Sequence, residues 1–93
     1  MLTGKERRQF KKELHDKDPI LYIGKNGLTE NVLNEVNVLL DSYELIKIKV
    51  QKNFSEDKDQ ILENILEETG AEYIMSLGNV FGIYRKNPEK DKK

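Results

Sequence analysis

The sequence predicts an α/β domain of three helices and four strands in the order α-β-α-β-α-β-β. Three observations carry this. Leu28, Val32, Leu33, Val36, Leu39, Leu40 and Tyr43 recur at helical spacing, as do Ile61, Leu62, Ile65 and Leu66. Residues 45–51 alternate, with Ile46, Ile48 and Val50 on one side and Lys47, Lys49 and Gln51 on the other. Gly24, Gly27, Gly70 and Gly78 punctuate the chain between these segments. Strand–helix–strand units require crossovers and some parallel pairing, while a closing hairpin is antiparallel. The expectation is therefore a four-stranded mixed sheet packed with helices. The periodicity leaves open which face of the sheet each helix takes.

Each element has a local cause. Thr3-Gly4-Lys5-Glu6 fits a capping box, with Thr3 closing the helix start and Glu6 reaching back. The helix that follows, about 4–15, is mostly polar and offers one narrow apolar stripe, Phe10 and Leu14. Asp18-Pro19 ends it, because proline disfavours a helical residue before it. Ile20–Ile23 is a short apolar run between breakers, which suits a buried strand. Gly24-Lys25-Asn26-Gly27 turns the chain, and Thr29 caps the second helix with Glu30 in its first turn. After the alternating strand, Ser55 caps a third helix with Glu56, Asp57 and Asp59 at its positive end, and Thr69-Gly70 stops it. Glu72–Leu77 and Val80–Arg85 form a hairpin about Gly78-Asn79. Tyr22, Tyr73, Phe81 and Tyr84 fall in strand patterns and are expected in the core.

A chain of 93 residues, 37% of them hydrophobic, supports one modest core. The domain is expected over 1–86, with a polar, disordered tail over 87–93. There is no cysteine, hence no disulfide and no thiolate metal site, which fits a reducing, cytoplasmic setting. The first residues run directly into charge, unlike a secretory leader, and no apolar run approaches a membrane span. His15, the only histidine, ends a polar helix without the base and third group that nucleophilic catalysis needs. Neither a catalytic site nor a metal or cofactor is expected, and no small-molecule substrate.

The net charge of −1 hides a segregation. Residues 1–29 and 73–93 are dominated by Lys and Arg, residues 55–72 by Asp and Glu. Such a chain can present a basic face with an acidic one behind it. Three features could meet a phosphate backbone. Gly24-Lys25-Asn26-Gly27 leads into a helix N-terminus, where N–H groups and the dipole favour an anion. Its glycines leave no Cβ in the way, and Lys25 adds a mobile charge. The loop lacks the Lys-Ser/Thr ending of a nucleotide-binding loop. Arg8 and Lys12 lie with Lys5 on one stripe of the first helix, beside Arg7 and Lys11. Lys47 and Lys49 project from the alternating strand. Taken singly, each is as well explained as a turn, a solvated face or a charged strand edge.

The runs P-I-L-Y-I-G-K-N-G-L-T-E and E-L-I-K-I-K-V at this separation, with the basic front helix and the closing G-N-V-F-G-I-Y-R, resemble the CRM domain. The chain is similar in particular to the bacterial single-domain YhbY-like proteins, over about residues 2–86. The resemblance implies a fold akin to the C-terminal domain of translation initiation factor three. It also implies RNA binding through the Gly-x-x-Gly loop, here Gly24, Lys25, Asn26 and Gly27, and an assembly role on precursors of the large ribosomal subunit. Arg8, Lys12, Lys47 and Lys49 are added on charge placement alone. The expected partner is ribosomal RNA, bound by a monomer with no membrane involved. The alternative is an adaptor that docks a protein on the acidic third helix, Glu56 to Glu72.

Overall fold

The computed structural model describes residues 2–24, 27–51 and 58–87. Lys25 and Asn26, the expected cap at Ser55 with Glu56 and Asp57, and the tail from 88 onward lie outside the described residues. The element order is α1 (Gly4–His15), β1 (Leu21–Ile23), α2 (Glu30–Tyr43), β2 (Leu45–Val50), α3 (Lys58–Thr69), β3 (Glu72–Leu77) and β4 (Val80–Tyr84).

Helix starts follow the caps. Thr3 Oγ1 accepts the Glu6 N–H at 3.1 Å, and the Glu6 carboxylate accepts the Thr3 N–H at 3.0 Å, completing the box. Thr29 Oγ1 accepts the Val32 N–H at 3.2 Å. At its other end α2 stops without a glycine. Glu44 takes a positive φ of 64°, and its N–H bonds the Leu40 carbonyl at 2.8 Å. Arg85 and Asn87 hold this corner. The Arg85 N–H donates to the Glu44 carbonyl, and the Asn87 N–H to the Glu44 carboxylate at 2.7 Å. The Arg85 guanidinium donates to the Asn37 side chain, the Thr69 carbonyl and Asp41, joining α2 and the end of α3 to the end of β4.

The sheet is mixed, in the order β1-β2-β4-β3. β1 runs parallel to β2 across the α2 crossover, and β4 lies antiparallel to both β2 and β3. The last strand is therefore interior. The helices divide between the faces. Leu21, Ile23, Ile46, Ile48, Val50, Phe81 and Ile83 pack with Val36, Leu40, Ile61, Leu62 and Ile65 of α2 and α3 in the main core. On the other face Leu14 of α1 packs with Leu45 and Ile74, flanked by Leu2, Phe10, Met75 and Tyr84. The Phe10 ring stacks on Tyr84 with centroids 4.4 Å apart. Gly82 makes room for this helix. A Cβ there would collide with Leu14 Cδ1 and lie 3.3 Å from Met75 Cγ, and Leu14 is fully buried.

β1 corrects one expectation. It is buried on one face only: Leu21 and Ile23 enter the core, whereas Tyr22 is 65% exposed. Tyr73, also expected in the core, is 41% exposed, while Phe81 is buried and Tyr84 half-buried. The cause is position. β1 and β3 are the edge strands, and α1 packs mainly against β2 and β3. Tyr73 flanks a register shift in β3, between Tyr73 and Met75.

Candidate nucleic-acid interface

Gly24 and Gly27 close a tight turn in which the Gly27 N–H donates to the Gly24 carbonyl at 3.0 Å. The Gln51 N–H, bonded to the Ile23 carbonyl at 2.9 Å, ties the turn to the end of β2. The two glycines have different reasons to be glycine. Gly27 takes a φ of 74°, where a side chain is strained. Gly24 has no such conformation and is exposed. Among the described residues a Cβ on it would meet only Gln51 Oε1, at an ordinary 3.6 Å. None of the described residues around it therefore demands glycine at 24. Beyond Gly27, Leu28 packs against the main core and Thr29 opens α2, so the turn sits before the positive end of that helix.

The basic side chains separate into different roles. Arg8 and Lys12 are exposed on α1, and with Lys5, Gln9, Lys11 and His15 they line an open groove of about 530 Å³ that contains no acidic residue. Arg7, also exposed, reaches the edge strand β3, its Nε donating to the Tyr73 carbonyl at 3.2 Å. Lys47 is half-buried, and its Nζ donates to the carbonyls of Leu14 and Lys17 at 3.0 and 2.9 Å. Its charge lies at the C-terminal end of α1, where carbonyls and dipole favour a cation. Lys49, two residues on along the same face of β2, is exposed.

Register links these groups. Tyr22 pairs with Lys49, Lys49 with Val80, and Val80 with Leu77, so one residue from each strand stands in a row on the α1 side of the sheet. Tyr22, Gly24, Lys49 and Gln51 line a cleft of about 340 Å³ at one end. Lys11, His15, Lys47, Met75, Leu77 and Val80 line one of about 260 Å³ at the other. The basic helix face and the Gly24 turn are thus joined across a part of the sheet that α1 leaves bare. Sequence reasoning missed Tyr22 and Leu77. In the structure Tyr22 stands between Leu21 and Ile23, which both point into the core, but the apolar run Ile20–Ile23 carries no sequence signal of this.

The acidic helices lie behind the sheet, while α1 itself carries only Glu6 and Glu13 among its basic residues. Glu30, Glu35 and Asp41 on α2 and Asp59, Glu63, Glu67 and Glu68 on α3 are exposed, and Lys58 is the sole Lys or Arg on these two helices. Among the described residues no group of His, Cys, Asp or Glu could hold a metal ion. No helix among them is long and apolar enough to cross a membrane.

Comparison with known proteins agrees with this arrangement. The family model for the CRS1/YhbY (CRM) domain matches residues 2–85. The Probable RNA-binding protein YqeI of Bacillus subtilis is 32% identical over 89 residues, covering 96% of this chain and 93% of its own. The Probable RNA-binding protein PA4753 of Pseudomonas aeruginosa is 35% identical over 91 residues, covering 98% and 88%. Both are named for binding RNA rather than for a reaction. The solution structure of the Staphylococcus aureus protein SAV1595 superposes with a TM-score of 0.78 at 38% identity, over 92% of this chain and 90% of that one. With a glycine turn before a helix, a basic helix on one side of a mixed sheet, and a family match over nearly its whole length, the chain belongs to the CRS1/YhbY (CRM) domain family.

Proposed function

We propose that this protein binds RNA and acts as a cytoplasmic assembly factor for the large ribosomal subunit, gripping precursor ribosomal RNA by its backbone. The loop Gly24-Lys25-Asn26-Gly27 makes the closest approach. Arg8, Lys12 and Lys49 neutralise flanking phosphates, and Lys47 contributes only to the background field. A single chain binds, with no catalytic step and no cofactor. The observation that carries the reading is Gly24, a glycine that no described neighbour requires, at the mouth of a cleft with Lys49. A missing Cβ is explained by a backbone that comes close from outside. The names of the relatives support RNA as the ligand. The ribosomal assignment rests on the family resemblance.

The test is fluorescence anisotropy with ribosomal RNA fragments, comparing wild type with Gly24→Ala and with the double variant Lys25→Asp, Asn26→Asp. Gly24→Ala should melt at or slightly above the wild-type temperature, because the unfolded chain loses freedom. Its RNA affinity should nevertheless fall about tenfold, the equivalent of one charge-assisted hydrogen bond of ~1.5 kcal/mol. The double variant should lose more. Unchanged affinity in both would reduce the loop to a turn. The exposed acids of α2 and α3 favour a second reading, an adaptor that docks a basic protein. Glu63→Lys with Glu67→Lys would then abolish function and leave RNA binding intact.

A further inference from the structure

Bare sheet surface normally carries polar side chains, because an uncovered apolar group leaves its burial energy unrealised. Here the row across the four strands reads Tyr22, Lys49, Val80, Leu77. Tyr22 is 65% exposed and Leu77 75% exposed. Three inter-strand gaps of about 4.8 Å make the row about 14 Å long. Cations stand in it and beside it: Lys49 within the row, and Lys11 beside Leu77 and Val80. Among the described residues no acidic side chain lines either cleft. A flat π surface among cations complements one class of ligand, a single-stranded nucleic acid, whose bases are flat and apolar and whose backbone is anionic. A protein partner of matching apolar character would meet the same cations without benefit from them.

We propose that Tyr22 is a stacking platform for one nucleobase of a single-stranded RNA, whose strand continues over Lys49, Val80 and Leu77 toward α1. The inference rests on the RNA reading above and adds to it a base contact distinct from the backbone grip. Tyr22 lies two residues before Gly24, about 7 Å along an extended strand. A phosphate held at Gly24 therefore leaves the neighbouring base within reach of the Tyr22 ring. Stacking gives affinity with little sequence preference, since every base offers a π face.

The chain contains no tryptophan, so Tyr22→Trp installs a single indole at the platform. Its emission should be quenched by saturating oligoadenylate and not by an abasic ribose-phosphate oligomer of equal length. Tyr22→Ala should lose roughly 5- to 150-fold in affinity for oligoadenylate. Its salt slope should match wild type, because stacking releases no counterions. Tyr22→Phe should keep most of the affinity, which shows that the ring rather than the hydroxyl matters. All three variants should melt like wild type, the side chain being exposed. If wild type binds RNA while Tyr22→Ala binds equally well and the indole stays unquenched, the platform is refuted and the backbone grip survives. If wild type binds none of the oligomers, both readings fall together.

Discussion

Lys47 and Lys49 occupy equivalent positions in the sequence, on one side of the same alternating strand, and diverge only in three dimensions. The end of α1 lies over Lys47, whose Nζ closes two carbonyls there. Lys49 is exposed. Lys47→Met keeps the aliphatic stem and removes the charge. It should lower stability by roughly 1–2 kcal/mol in urea unfolding, from lost hydrogen bonds to a charged donor at a helix C-terminus. Lys49→Met should change stability by less than about 0.5 kcal/mol. It should instead weaken RNA binding and reduce the magnitude of the salt slope by about 0.7. The alternation of residues 45–51 announced both lysines but could not separate them. What separates them is a helix end some thirty residues away in the chain. Tyr22 escaped for a related reason: four consecutive apolar residues hide the alternation that shows which one points outward.

At the scale of elements, the helix starts were legible because they depend on neighbours in sequence. Thr3 with Glu6, and Thr29, cap where their spacing says they should. The stop of α2 was not legible, since Glu44 holds a left-handed conformation without being glycine or asparagine, secured by Arg85 and Asn87 from the other end of the chain. The side taken by α1 was not legible either. Phe10 and Leu14 say that the helix packs, but only Gly82, far along the chain, shows where. The first helix also has its own pH dependence. The Glu6 carboxyl titrates below its ordinary value of 4.5, held there first by the Thr3 backbone N–H and then by the Thr3 side chain. A carboxylate lowered in the folded state stabilises above its unfolded pKa, and the contribution is lost as pH falls through the folded value. The stability gap between wild type and Glu6→Gln should therefore be open at pH near 7 and close below the usual carboxylate range. Urea midpoints of both proteins across that range measure it; a constant gap would mean that the box does not act through the charge.

At the scale of the molecule, the sheet separates a basic helix from two acidic ones. This answers how a chain of net charge −1 can address a polyanion. The field is directional. RNA approaching from the α1 side meets an excess of Lys and Arg over Glu6 and Glu13, and from the other side meets mainly carboxylates. With three to five phosphates engaged, log affinity should fall against log salt with a slope of roughly −2 to −3.5 for single strands. A titration giving a flat response would remove the electrostatic part of the argument. Charge runs in the sequence foretold the segregation, yet only the division of helices between the faces turned it into a surface.

The strand order has a bearing on how such a chain comes into being. β4 is made last but stands between β2 and β3, hydrogen-bonded to both. While the polypeptide is still growing, β1, α2 and β2 can meet, but β3 has no neighbour to join until residues 80–84 have emerged. Arg85, which fastens the ends of α2 and α3, arrives later still. A nascent product ending just after Asn87 would keep β4 and the bonds of Arg85 and Asn87, whereas one ending before Val80 would lack the keystone of its sheet. Closure of the sheet is thus postponed until residues 80–84 have been made, and with it the surface that carries Lys49, Val80 and Leu77.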